Sequence, residues 1–319
     1  MLKKHGFKSP YCMMKVFRSF EEAKGIKNPV VTTGSFDGVH IGHKTILRRL
    51  KMLAEKHHGE SVLITFYPHP RKVLYPDAAG RDLKLINSQL EKLELLRKAG
   101  LDNVIIIEFT REFSTITSEQ FVHDFLYSAL KSKVVVAGFN HHFGFNKEGD
   151  YRQLWGWREK YNFDAEEIPE QEVQHESVSS TKIRQAISEG YIQRANAYLD
   201  HYYIVMGKPV SYTPDNAVTL PPFLKVPLTE ECKLLPAPGI YAVSIEYNGI
   251  ISKGMVLIHN AADNVNEVMV HIFENEEIYK GQTSILYFHK KIHGSINLQD
   301  SRTTFRLNGA KEEILQLIY

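Results

Sequence analysis

The sequence predicts a doubly wound, mostly parallel α/β domain followed by a small antiparallel β domain. Three observations carry this. From Val30 to about Leu199, short β-branched runs alternate with segments of helical periodicity, the pattern of βαβ units around a parallel sheet. After Tyr203 that periodicity stops, and Pro209, Pro214, Pro221, Pro222 and Pro227 punctuate the chain, leaving no room for a long helix. Beyond them β-rich runs recur, two of them separated by Asn248-Gly249, a hairpin turn signal. Residues 1–203 are therefore expected to form the α/β domain, with 1–12 an extension ahead of Met13-Met14, and residues 204–319 the β domain.

Pro29 to Thr33 reads as the first strand, followed by the polar turn Gly34 to Gly38. Ile46, Leu47, Leu50, Leu53 and Ala54 then mark one face of a helix ending near Gly59. Ser61 to Phe66 is the second strand. Ser88-Gln89-Leu90-Glu91 is a capping box, opening a helix that carries Leu93 and Leu96 and stops at Gly100. Val104 to Ile107 is strand-like. Thr117 to Gln120 opens a further helix, with Phe121, Phe125, Leu126 and Leu130 on its apolar stripe. Val134 to Ala137 is an unbroken apolar run and so a buried strand. A helix near 153–160, a strand near 165–168 and helices over 180–189 and 192–199 complete the alternation. In the second domain, strands are expected over 239–245, 255–258, 268–273 and 283–288, with a closing helix over 311–318.

Composition narrows the function. Hydrophobic residues are 43% and charged residues 24%, proportions of an ordinary globular protein. Lys plus Arg number 39 against 37 Asp plus Glu, too slight an excess to mark a nucleic-acid or anionic-membrane partner. No apolar run approaches the roughly 20 residues of a membrane helix, and the basic N-terminus has no apolar stretch of the secretory kind. The two cysteines, Cys12 and Cys232, lie far apart, which fits a reducing cytoplasm and no Cys-based zinc site.

In open α/β sheets ligands bind beyond the carboxyl ends of the strands, so the turn Gly34-Ser35-Phe36-Asp37-Gly38-Val39-His40-Ile41-Gly42-His43 is where chemistry is expected. It follows a strand and opens a helix, and helix-start N–H groups favour phosphate. Gly34 and Gly38 permit a tight turn and Gly42 lets a bulky anion approach. His40 and His43 sit three apart on one side of the first helical turn, each able to donate a ring N–H. No further ligands stand at workable metal-site spacing. A second helix start, Ser179-Ser180-Thr181-Lys182-Ile183-Arg184, offers hydroxyls and positive charge as a second anion clamp.

These motifs resemble a known family. Gly34 to His43 is similar to the GxFDGxHxGH motif of HxGH nucleotidyltransferases, a Rossmann-like fold, and Val178 to Arg184 to their (I/V)SSTxIR motif. Thr65-Phe66-Tyr67-Pro68-His69-Pro70 resembles the TFxPHP segment of prokaryotic FAD synthetases, and Gly138 to Gly144 with Gly149-Asp150 resembles a further segment of theirs. The resemblance covers about 30–203. It implies that His40, His43 and Arg184 carry catalysis, that Gly34, Phe36, Asp37, Gly42, Ser180 and Thr181 hold ATP, and that Pro68, His69, Pro70 and Asn140 line the flavin side. The reaction implied is attack of the FMN phosphate on the α-phosphate of ATP, giving FAD and pyrophosphate, with Mg²⁺ arriving on the nucleotide.

Members of the family usually carry a second, riboflavin kinase barrel. Pro238 to Val243 resembles the kinase's PxGVYAV strand, but its glycine-rich PTAN loop is at best echoed by Tyr212 to Ala217. Its VEVHLxDF segment aligns with Val268 to Glu274, which places Met269 where the catalytic Glu belongs. A thioether cannot take a proton from the ribityl hydroxyl. The expectation is thus an FMN adenylyltransferase with a degenerate β-barrel kinase domain. The alternatives are the full bifunctional enzyme, with Glu267, Glu274 or Glu276-Glu277 as a displaced base, and a flavin- or nucleotide-binding regulator without turnover.

Overall fold

The computed structural model describes residues 13–77, 80–139, 141–169, 172–173, 176–212, 221–260, 266–297, 300 and 302–318. They fall into two compact units, residues 1–83 with 93–172, and residues 84–92 with 173–319.

The first unit holds six parallel strands, β1 (Lys15–Phe17), β2 (Val30–Thr33), β3 (Ser61–Tyr67), β4 (Asn103–Glu108), β5 (Val134–Gly138) and β6 (Asp164–Ile168), in the order β1-β4-β3-β2-β5-β6. Strands β2 to β5 are buried along nearly their whole length, as continuous apolar runs in a parallel sheet should be. Between them run α1 (Ile41–Lys56), α2 (Pro70–Leu74), α3 (Gln89–Lys98), α4 (Ser118–Phe121) and α5 (Tyr151–Tyr161). Helix α1 buries Leu47, Leu50, Leu53 and Ala54, an i, i+3, i+6, i+7 stripe that fixes which face meets the sheet. Winding runs from β2 to β3 and β4 on one side, then from β4 across to β5 on the other. The topological switch point therefore lies between β2 and β5, where such folds bind ligands.

Three details differ from the sequence reading. Strand β1 is an unforeseen three-residue edge strand, too short to register as a pattern. The five-residue helix α2 was likewise not expected. Helix α4 starts where expected, with Thr117 and Gln120 forming a capping box, but continues as a π-helix over Val122–Ala129. Of the expected stripe Phe121, Leu126 and Leu130 are buried and Phe125 is half-buried, and over so short a stretch apolar spacing alone does not separate the two helix types.

The second unit contains the short strands β7 (Glu172–Val173) and β8 (Glu176–Ser177), helices α6 (Ser180–Ser188), α7 (Ile192–Leu199) and α8 (Thr303–Leu317), and a seven-stranded sheet. That sheet comprises β9 (Tyr203–Gly207), β10 (Val210–Ser211), β11 (Leu224–Lys225), β12 (Gly239–Tyr247), β13 (Ile250–Asn260), β14 (Asn266–Ile272) and β15 (Ser284–His293), in the antiparallel order β10-β11-β14-β13-β12-β15-β9. Its two outermost strands, β9 and β10, are joined only by Lys208-Pro209, so the sheet must curl round upon itself. Alternating side chains serve two cores. One contains Val205, Val243, Val256, Val270 and Phe288 with Ile183 and Ile187 of α6 and Ala195 and Leu199 of α7. The other contains Ile240, Ala242, Met255, Leu257 and Met269 with Leu307, Ala310 and Ile314 of α8. Because α6 and α7 bury their stripes in the β-sheet core, packing divides the chain before Val173, ahead of the boundary at 203 read from the sequence. Helix α8 begins at Thr303, about two turns earlier than expected, since Asn308-Gly309 has low helix propensity.

Candidate active site

The turn leaving β2 is built from backbone that few sequences tolerate. Phe36, Gly38 and Val39 have φ of 49°, 91° and 42°, all in the left-handed region. For a β-branched residue such as Val39 this is a true outlier, and Val39 is fully buried. The turn is tied down by Gly34 N–H donating to the Ile64 carbonyl at 3.0 Å, by Val39 N–H donating to the Phe36 carbonyl at 3.2 Å, and by Thr65 Oγ1 donating to the Ser35 carbonyl at 3.3 Å. His40 then caps α1 from an extended conformation, and its carbonyl accepts from Lys44 N–H at 2.9 Å. The first turn of α1 carries no acidic side chain, and the N–H groups and dipole of a helix start favour an anion.

His40 and His43 come together as the three-residue spacing implied, but as a stack. Their ring centroids are 3.7 Å apart with planes 21° from parallel. The Phe36 ring stacks on His43 in turn, at 4.4 Å and 20°. His40 and Asp37 are buried and His43 is half-buried.

At the carboxyl end of β3, Pro68 follows a cis peptide bond from Tyr67. His69 caps α2, its Nδ1 accepting the Arg71 N–H at 3.2 Å, and Pro70 is the first helical residue. A neutral ring whose Nδ1 accepts must carry its proton on Nε2. Beyond β5, Asn140 lies outside the described residues. Its neighbour His141, which sequence reasoning did not single out, stacks on Phe143 at 5.9 Å and 16°. Its Nε2 is buried with no hydrogen-bond partner among the described residues. Burial, aided by the charge of His142, pushes its pKa down to about 4, so the ring is neutral at pH 7. The signal was its place in the Gly138 to Gly144 segment.

Ser180, Thr181 and Arg184 belong to the second unit. Ser179 caps α6, its Oγ accepting Lys182 N–H at 3.4 Å, and Arg184 Nη2 donates to Thr181 Oγ1 at 3.4 Å. Ile183 and Ile187 anchor the helix in the core, which leaves Ser180, Thr181 and Arg184 off its buried stripe.

Also in the second unit, Met269 is fully buried in the apolar core beneath α8, where its register partners are Lys225 on β11 and Leu257 on β13. Glu267, two residues back and so on the same sheet face, is held by Lys225 at 2.5 Å, with His259 at 3.5 Å. Glu274 is exposed beyond the end of β14, while Glu276 and Glu277 pair with Lys280. Most of the segment echoing the PTAN loop, Thr213 to Ala217, lies outside the described residues. Among the described residues no cluster of three or more His, Cys, Asp or Glu could hold a metal ion, and no helix is long and apolar enough to cross a membrane.

Known proteins share both the sequence pattern and the fold. The FAD synthetase family matches residues 23–182, a span running from ahead of β2 into α6. A bifunctional riboflavin kinase/FMN adenylyltransferase of Listeria monocytogenes is 30% identical over 294 residues, covering 91% of this chain and 89% of its own length. Its Escherichia coli K12 counterpart is 30% identical over 216 residues, 68% of this chain and 67% of its own. A solved Streptococcus pneumoniae structure titled a macrolide-efflux protein superposes with a TM-score of 0.82 over 95% of this chain and 99% of that one. At 24% identity that likeness carries the fold alone. With the HxGH turn at the switch point of a parallel sheet and the Listeria relative aligned along nearly its whole length, this chain belongs to the FAD synthetase family of bifunctional riboflavin kinase/FMN adenylyltransferases.

Proposed function

We propose that the chain transfers the AMP moiety of ATP to FMN and has lost the riboflavin kinase step. The observation that carries the first half is the α1 N-terminus, with the His40–His43 pair set on it beside the switch point. In this reading a phosphate oxygen of FMN attacks the α-phosphorus of ATP. A new P–O–P linkage forms, the bond to the β-phosphate oxygen breaks, and pyrophosphate leaves with its electron pair. ATP enters as its magnesium chelate, Mg²⁺ keeping much of its water.

Reaction of this kind needs positioning and charge stabilisation more than covalent chemistry. The α1 N–H groups and the ring N–H donors of His40 and His43 take phosphate oxygens. Ser180, Thr181 and Arg184 supply hydroxyls and a fixed positive charge. Pro68, His69, Pro70 and Asn140 line the flavin side. Asp37 is assigned to the ATP side with the turn that carries it, and the reaction takes place in the cytoplasm.

For the second half, Met269 supplies no base, and its surroundings are an apolar core. Glu267 is no ready substitute, because its carboxylate is already engaged by Lys225. One observation favours the bifunctional alternative: the Listeria relative aligns across the β unit as well. Incubation with riboflavin and MgATP separates the readings, since FMN, or FAD made from it, forms only if the kinase is active.

A further inference from the structure

The histidine pair is part of a longer column with glycine at both ends. A Cβ placed on Gly34 would lie 3.1 Å from the Phe36 ring, and one on Gly42 would lie 3.3 Å from the His40 ring. The order is Gly34, Phe36, His43, His40, Gly42, with each ring stacked on the next. We propose that Phe36 is a positioning residue that fixes the plane of the His43 imidazole, and that Gly34 and Gly42 are glycine because each borders a ring of this column. The assignment rests on the adenylyltransferase reading, and it moves Phe36 from binding ATP to orienting the group that does.

The χ2 torsion of histidine is broad, so nothing intrinsic holds the imidazole in one plane. Here both faces of His43 are covered, by Phe36 on one side and His40 on the other. A ligand therefore meets only the ring edge, where the nitrogens sit, and an N–H donated in that plane has one direction. Phe36 has no polar side-chain atom to offer a phosphate, and the residue is 3% exposed, which suits support rather than contact. The left-handed backbone at Phe36 and Val39 fits the same role. Strained φ values persist where the surroundings over-determine them, and here the strain turns the Phe36 ring back over the helix start. Leucine would fill much of the same volume but has no flat face, so the imidazole would lose its stacking partner on that side.

The test combines kinetics with a direct probe of the stack. FAD formation is measured for Phe36→Leu and Phe36→Tyr, each alone and with His43→Ala, while NMR of the wild type reads contacts between Phe36 and His43 ring protons. Phe36→Leu is expected to lower kcat about tenfold or more, since small misplacements carry that order of cost, with KM for MgATP within about twofold. Phe36→Tyr should stay near wild type, and Phe36→Leu should cost nothing further once His43 is alanine. Full kcat in Phe36→Leu, or an equal loss in the His43→Ala background, would overturn the assignment. Absence of ring-to-ring contacts in the wild type would overturn it without any variant having to fold. If the wild type forms no FAD, the adenylyltransferase reading fails and the catalytic role of Phe36 with it, while the NMR contacts still report on the column itself.

Discussion

The Lys233 ammonium meets the Glu91 carboxylate at 2.7 Å, with 2% and 1% of the two side chains exposed. Every oxygen and the ammonium are further satisfied. Glu91 Oε1 accepts the Met206 N–H at 2.9 Å and Oε2 the Ser88 N–H at 2.8 Å, while Lys233 donates to the Ile86 and Ile204 carbonyls at 2.6 and 2.8 Å. The ammonium also lies 4.2 Å over the Tyr203 ring. The Ser88–Glu91 capping box therefore does more than start α3, because it locks residues 84–92 onto the β sheet of the second unit.

Breaking such a pair strands a buried charge. Lys233→Met is expected to destabilise the second unit by about 3–5 kcal/mol, and Glu91→Gln with Lys233→Met to recover part of that loss. Urea unfolding followed by circular dichroism checks both. A fragment of residues 173–319 alone, lacking 84–92, should fail to fold for the same reason.

His43→Ala and Arg184→Ala should each lower FAD turnover about 10²–10³-fold, the usual cost of removing a preorganised donor to developing phosphate charge. Their effects on stability should differ. Arg184 is half-exposed and its loss leaves packing intact, whereas removing the His43 ring uncovers faces of both Phe36 and His40. Thermal melts beside the kinetics should show a lower Tm for His43→Ala only.

His141 gives the first unit an acid sensitivity. An unfolded histidine takes up its proton near pH 6.5, but folded His141 stays neutral down to about pH 4. As pH falls between these values the unfolded chain binds the proton first, so stability present above 6.5 is progressively lost toward 4. Burial lowers the pKa of His271 and His289 in the second unit as well, so a probe confined to the first unit is required. The two tryptophans, Trp155 and Trp157, both lie on α5 of that unit. Urea unfolding read by tryptophan fluorescence at pH 7 and 5 should show a clear loss in the wild type and a smaller one in His141→Phe.

Met269→Glu should not restore riboflavin phosphorylation. It places a carboxyl in the apolar core formed with Leu257, Ile314 and Leu307, where burial raises a carboxyl pKa and opposes ionisation. The expected result is neither FMN nor FAD from riboflavin and a lower Tm; an active and equally stable variant would mean that the site needs only its base.

The β2–turn–α1 unit was legible because strand, turn and helix signals stand side by side in ten residues whose chemistry points to phosphate. Its ring column was not, since spacing places His40 and His43 on one side of a helix but cannot distinguish side-by-side donors from a stack. Phe36 and Gly42 were accordingly assigned to ATP. Met269 was legible as a departure at one position, but its burial required α8, whose first turns Asn308-Gly309 concealed. Nothing local joins Glu91 to Lys233. The sequence reads Glu91 as a helix cap and offers no signal at Lys233, and only the folded chain brings them together.

The most direct test of the account is chromatography of the purified wild-type protein after incubation with FMN and MgATP, both in excess. The account predicts FAD and pyrophosphate in equal amounts; a well-folded protein that yields neither would contradict it.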